Sequence, residues 1–152
     1  LPYSSANTTK LTNILNSAHY TATYDFGTFD CGTTSEIVWY ILTNTGFDAK
    51  IMTGTIVDSP VCHSWVLVKY PDGYIPIETA GTYDKRLGTI IGPEDTTQFG
   101  KNSIYTPDNY LRGVMVNSSQ EYSIYFPRTE NLLSTNNYEL PVTNNTKSTS
   151  PA

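Results

Sequence analysis

The chain has 152 residues, only 15% of them charged, and a formal net charge of −5. Its 9 Lys and Arg face 14 Asp and Glu and form no basic cluster that could neutralise phosphates, which argues against nucleic acid or an anionic membrane surface as partner. One domain of this length buries a sizeable core, and a charge-poor surface rich in Tyr, Asn, Thr and Ser points to an extracytoplasmic, secreted or cell-surface setting. The apolar run Ile37 to Leu42 is far too short to insert into a membrane.

In chain order, Leu11, Ile14, Leu15 and Ala18 keep helical spacing, which predicts a first helix over about residues 8–18. His19 at its end reads as solvent-facing. Thr21 to Phe29 reads as an irregular loop, from which Tyr24 could line a site. It leads into Asp30-Cys31-Gly32-Thr33-Thr34-Ser35-Glu36 and then Ile37-Val38-Trp39-Tyr40-Ile41-Leu42. Thr33 and Glu36 have the spacing of a capping box, Ile37, Val38, Ile41 and Leu42 share a helical face, and Gly46 is a left-handed stop. Cys31 therefore sits near the positive end of a helix dipole, where a thiolate is favoured.

Phe47, Ala49 and Ile51 alternate with polar residues, as in a half-buried strand. Asp58-Ser59-Pro60 turns the chain, Val61 to Tyr70 is the strongest strand pattern, and Pro71-Asp72-Gly73 is a hairpin turn returning Tyr74 to Thr79 antiparallel. Ala80 to Asn102 reads as a long surface loop. Thr106-Pro107-Asp108 starts a short helix through Met115. Ser118 and Glu121 have a second capping-box spacing, while Tyr122 to Phe126 reads equally well as a strand. Thr143 to Ala152 has the composition of a disordered tail or linker. The expectation is one α+β domain over 1–140, with helices ahead of an antiparallel sheet, and a polar tail over 141–152.

Strand alternation puts His63, Trp65 and Leu67 on one face and Cys62, Ser64, Val66 and Val68 on the other. An imidazole beside Cys31 would take its proton and give a thiolate–imidazolium pair able to attack a carbonyl. The partner orienting that imidazole must accept from its other ring nitrogen, and Glu78 is the candidate. A two-residue loop at Pro71-Asp72 places Glu78 opposite Trp65, on the His63 face. A three-residue loop places it opposite Val66, on the wrong face unless a bulge intervenes.

A Cys at a helix start, a His-Ser-Trp-Val strand and an acid after a Gly-aromatic hairpin, in that order, resemble the transglutaminase-like superfamily. Phe29-Asp30-Cys31, Trp39-Tyr40-Ile41-Leu42 and Gly46-Phe47-Asp48-Ala49 are similar to its microbial, especially archaeal, members. The likeness covers roughly residues 24–80. It implies a papain-like α+β core with the Cys helix packed on an antiparallel sheet. It also implies a Cys-His-Asp triad that acts on peptide or glutamine-type amides through a thioester, with no cofactor. Carried onto this chain, Cys31 is the nucleophile, His63 the general base and acid, and Glu78 the orienting carboxylate, while the Cys31 backbone N–H helps hold the oxyanion. Glu78 stands where Asp is usual, and the Gly-Gln-Cys-Trp signature of the crosslinking animal enzymes is absent. The absent signature favours hydrolysis by a peptidase or amidase over calcium-dependent crosslinking, with acyl transfer as the other outcome of the same thioester. The Glu78 departure and the two possible hairpin registers motivate a second reading, an inactive transglutaminase-like binding or scaffold module on the cell surface. Trp65 reads as core or site wall. A Cys31–Cys62 disulfide is a third, structural alternative. Cys31, Cys62 and His63 do not read as a metal set, because alternation separates Cys62 from His63 and no fourth ligand is evident.

Overall fold

The computed structural model describes residues 2–25, 28–55, 62–80, 84–98, 104–125 and 138–139. The predicted turn at Asp58-Ser59-Pro60 and the predicted tail lie outside these residues. Helix α1 (Ser5–Leu15) starts ahead of its apolar spacing because Ser4 caps it, accepting the Asn7 N–H at 3.2 Å. It ends before Ala18, and exposed His19 falls instead in a two-residue strand, β1 (His19–Tyr20). Helix α2 (Cys31–Asn44) is capped by Asp30, whose carboxylate accepts the Gly32 and Thr33 N–H groups, while the Thr33 hydroxyl accepts the Asp30 N–H. The capping box thus lies one turn ahead of the predicted Thr33–Glu36 pair. Buried Glu36 instead accepts the Ser119 hydroxyl at 2.8 Å. The helix stops at Gly46, whose φ of +98° any side chain would strain.

The main sheet contains β2 (Ala49–Thr55), β3 (Cys62–Tyr70), β4 (Gly73–Glu78), β5 (Thr89–Ile90) and, after later elements, β8 (Val114–Val116). Its order is β5-β4-β3-β2-β8 and every pairing is antiparallel. The expected loop over 80–102 therefore contains β5 and also β6 (Thr97–Gln98), which pairs with β7 (Ile104–Tyr105). Such two-residue strands carry no readable period. Helix α3 (Pro107–Tyr110) ends well short of Met115. Gly113, at φ +130°, sits where a Cβ would collide with the Thr53 carbonyl oxygen, and it turns the β-branched Val114 and Val116 onto the edge of β2. Helix α4 (Ser119–Tyr125) decides the helix-or-strand alternative: the Ser118 hydroxyl accepts the Glu121 N–H at 3.0 Å. Strand β9 (Tyr138–Glu139) pairs with β1.

The structure is a mixed α+β fold with apolar groups packed on both sheet faces. Val66, Val68, Ile75 and Ile77 meet Leu11, Leu15, Ile37, Val38 and Leu42 of the two long helices, while Trp65, Leu67 and Met52 meet Ile91, Tyr105 and Tyr110 on the opposite face. Burial on both faces explains the near-continuous apolar run of β3. Each fully buried Leu, Ile or Val side chain contributes roughly 1.5–3 kcal/mol.

Candidate active site

Cys31 is the first residue of α2, so its N–H is one of the four donors without a partner inside the helix, and its sulfur lies at the positive end of the dipole. It is half-buried and a free thiol, not half of a disulfide. Thr34 binds the first turn back on itself by donating to the Cys31 carbonyl at 3.2 Å.

His63 is the second residue of β3 and is buried. The hairpin register decides what it meets. Tyr70 pairs with Gly73 and Val66 with Ile77, so the loop is the two residues Pro71-Asp72 and Glu78 falls on the Trp65 face without a bulge. Glu78 Oε1 lies 2.7 Å from His63 Nε2, and both side chains are buried. Oε1 also accepts the Tyr110 hydroxyl at 2.9 Å, and Oε2 accepts the Ala80 N–H at 3.1 Å. Burial alone would lower the His63 pKa. Hydrogen bonds to Cys31 and Glu78, with the negative charge of both, outweigh it and carry the value from 6.5 to about 9. Since Nε2 is bonded to Glu78, Nδ1 is the nitrogen left for Cys31. The three predicted residues thus come together as Cys31–His63–Glu78, with the imidazole in the charged form at neutral pH.

The wall residues divide. Tyr24 is 49% exposed. Its pKa is raised by partial burial and by the negative charge of Cys31 and Asp30, and its hydroxyl takes a hydrogen bond from the Cys31 backbone N–H. It therefore covers the donor that the resemblance assigns to the oxyanion. Trp65 is fully buried and faces no solvent. It lies behind the His63 ring at 5.6 Å, and Tyr105 meets that ring edge-on at 6.3 Å. Gly54, the β2 partner of His63, leaves room for this stack, since a Cβ there would come within 3.1 Å of the Trp65 ring.

Two features escaped the sequence reading. One is Tyr110, whose proximity to Glu78 no local pattern reports. The other is a buried hydroxyl cluster in which Thr79 Oγ1 shares hydrogen bonds with Thr34 at 2.9 Å and Ser35 at 3.0 Å, while the Tyr20 hydroxyl donates to the Thr79 carbonyl at 2.9 Å. The run Thr33-Thr34-Ser35-Glu36, polar within an apolar helix and entirely buried, was its signal. A cavity of about 480 Å³ lies elsewhere, between α1 and β5, and is not lined by Cys31, His63 or Glu78. Among the described residues no three His, Cys, Asp or Glu side chains gather as a metal site, and no helix is long and apolar enough to cross a membrane. No protein-family model matches the chain, and comparisons with curated proteins and with solved structures return no match.

Proposed function

We propose that this chain is a transglutaminase-like cysteine amidohydrolase or peptidase with a papain-like core, acting on peptide or glutamine-type amides outside the cytoplasm. The observation that carries the reading is the 2.7 Å contact between Glu78 and a His63 ring that also hydrogen-bonds Cys31 at the start of α2. In this mechanism the Cys31 thiolate attacks the amide carbonyl carbon, forming a C–S bond and pushing charge onto the oxygen. The Cys31 N–H stabilises that oxyanion once Tyr24 yields it. The His63 imidazolium gives its proton to the leaving nitrogen as the C–N bond breaks, leaving a thioester. Neutral His63 then takes a proton from water, which attacks the thioester and releases the acid and the thiolate. An amine in place of water gives acyl transfer instead. Glu78 holds the ring throughout.

The test is acylation by 4-nitrophenyl acetate, followed by mass spectrometry of the Cys31 peptide. The expected result is an acetyl thioester on Cys31 that forms faster than on a free thiol at pH 7, is lost in Cys31→Ala and slows in His63→Ala. Acylation no faster than that of a free cysteine would overturn the enzyme reading and favour an inactive binding or scaffold module. That second reading is supported by the Tyr24 hydroxyl on the Cys31 N–H, which occupies the oxyanion donor.

A further inference from the structure

The Tyr110 phenol stands outside the Cys-His-Glu set, yet it donates to the same Glu78 oxygen that holds His63. Its direction is fixed from behind, because its oxygen takes a hydrogen bond from Thr97 of β6, leaving its proton for the carboxylate. Its position is equally fixed. Trp65 Nε1 donates to the Tyr110 carbonyl at 2.8 Å, and the Tyr110 ring packs edge-on against Trp65 at 5.3 Å and Tyr105 at 4.8 Å. Helix α3 is itself anchored by Asn109 Oδ1, which accepts the Thr106 N–H at 2.8 Å. Burial and the neighbouring Glu78 charge push the phenol pKa well up, so it stays a donor across the working pH range.

A carboxylate oxygen shared by two donors pulls less on each than an oxygen serving one. We propose that Tyr110 is a positioning residue that pins Glu78 against His63 and weakens the carboxylate's pull on the imidazolium proton, so that His63 can surrender it to a leaving nitrogen. This rests on the cysteine-enzyme reading for its catalytic meaning but not for its electrostatics. Among the described residues, Cys31 of α2 and Glu78 of β4 are ionisable groups that act on His63. Tyr105 of β7 faces the ring, and Tyr20, Tyr24, Tyr105 and Tyr110 all feel the Glu78 charge.

The experiment is an NMR titration of the His63 imidazole in the full chain and in Tyr110→Phe, with the pH dependence of Cys31 alkylation by iodoacetamide alongside. Losing one donor to a charged acceptor strengthens the imidazolium about tenfold, so the His63 midpoint and the alkaline limb of alkylation should both rise by about one pH unit. In a Glu78→Gln background the same substitution should shift the midpoint no further, which a general loosening of the core would not reproduce. An unchanged midpoint in folded Tyr110→Phe, or an equal shift in both backgrounds, overturns the inference. Should Tyr110→Phe fail to fold, 3-fluorotyrosine at position 110 strengthens the donor and must move the midpoint down, and no movement overturns the inference. Ordinary thiol behaviour of Cys31 in the unsubstituted chain, together with the expected His63 shift, overturns the enzyme reading alone.

Discussion

His63 and Glu78 form a buried imidazole–carboxylate pair at 2.7 Å, brought together by a two-residue turn between their strands. The pair supplies charge as well as orientation. Glu78→Gln keeps an acceptor near Nε2 but removes the charge that stabilises the imidazolium, so the thiolate–imidazolium state loses its support. Neutralising the orienting carboxylate of a Ser-His-Asp triad costs up to about 10⁴-fold, and a loss of up to that size is expected in kcat/KM for amide hydrolysis, with slower iodoacetamide alkylation of Cys31 at pH 7. Alkylation at the unsubstituted rate would show that Glu78 does not support the charge.

The same pair predicts a stability profile. His63 is raised from 6.5 to about 9 in the folded chain by Cys31 and Glu78, against the opposing effect of burial. A folded value above the unfolded one means that the contribution is fully present below about pH 6.5 and is lost as pH rises through about 9. The urea midpoint of the whole chain is therefore expected to fall across that window, and the fall should be absent in His63→Gln. A flat profile in the unsubstituted chain would remove the ion pair from the folded state.

Gly88 supports the carboxylate from behind its strand. A Cβ at that position would lie 2.7 Å from the Glu78 carbonyl oxygen and 2.9 Å from Ile77 Cγ2, so Gly88→Ala must displace the backbone that carries Glu78. Overpacking of this kind costs about 1–3 kcal/mol, and a misplacement approaching 1 Å at a catalytic group costs up to about 10²-fold in rate. Gly46→Ala is the contrast. Nothing lies within 4 Å of its Cβ and only the positive φ is strained, so it should cost about 1–2 kcal/mol with activity unchanged. Equal activity in both variants would separate the strand position from the chemistry.

The sequence makes legible what local rules govern. Helix α2 is readable from its apolar face and its glycine stop, and β3–β4 from a turn whose residues each have a conformational reason. Cys31, His63 and Glu78 could be named because each sits on such an element. Local rules weaken where two geometries fit the same letters. Pro71-Asp72-Gly73 supports two registers, and the one adopted puts Ile75 and Ile77 of β4 on the face of Val66 and Val68, against the two long helices, a packing gain that the turn residues do not encode. Asp30 displaces Thr33 and Glu36 from the predicted cap because buried Glu36 is held by Ser119, 83 residues away in sequence. Tyr110 is invisible for the same reason: its partner Glu78 is 32 residues away in sequence, and nothing around Pro107-Asp108-Asn109 encodes that contact.

The hydroxyl cluster at Thr79 has a mechanical consequence. Thr79 follows Glu78 directly, and its side chain is held by two consecutive residues from the first turn of α2, the turn that begins with Cys31. The nucleophile and the carboxylate are thus moored to one knot of hydroxyl groups at the seam between helix and sheet. Fraying of the first turn of α2 would drag on the strand end that carries Glu78, and slippage of that strand end would unseat the turn. The two ends of the constellation then melt as one cooperative unit, so loss of the nucleophile's environment and loss of the charge partner should follow a single unfolding transition.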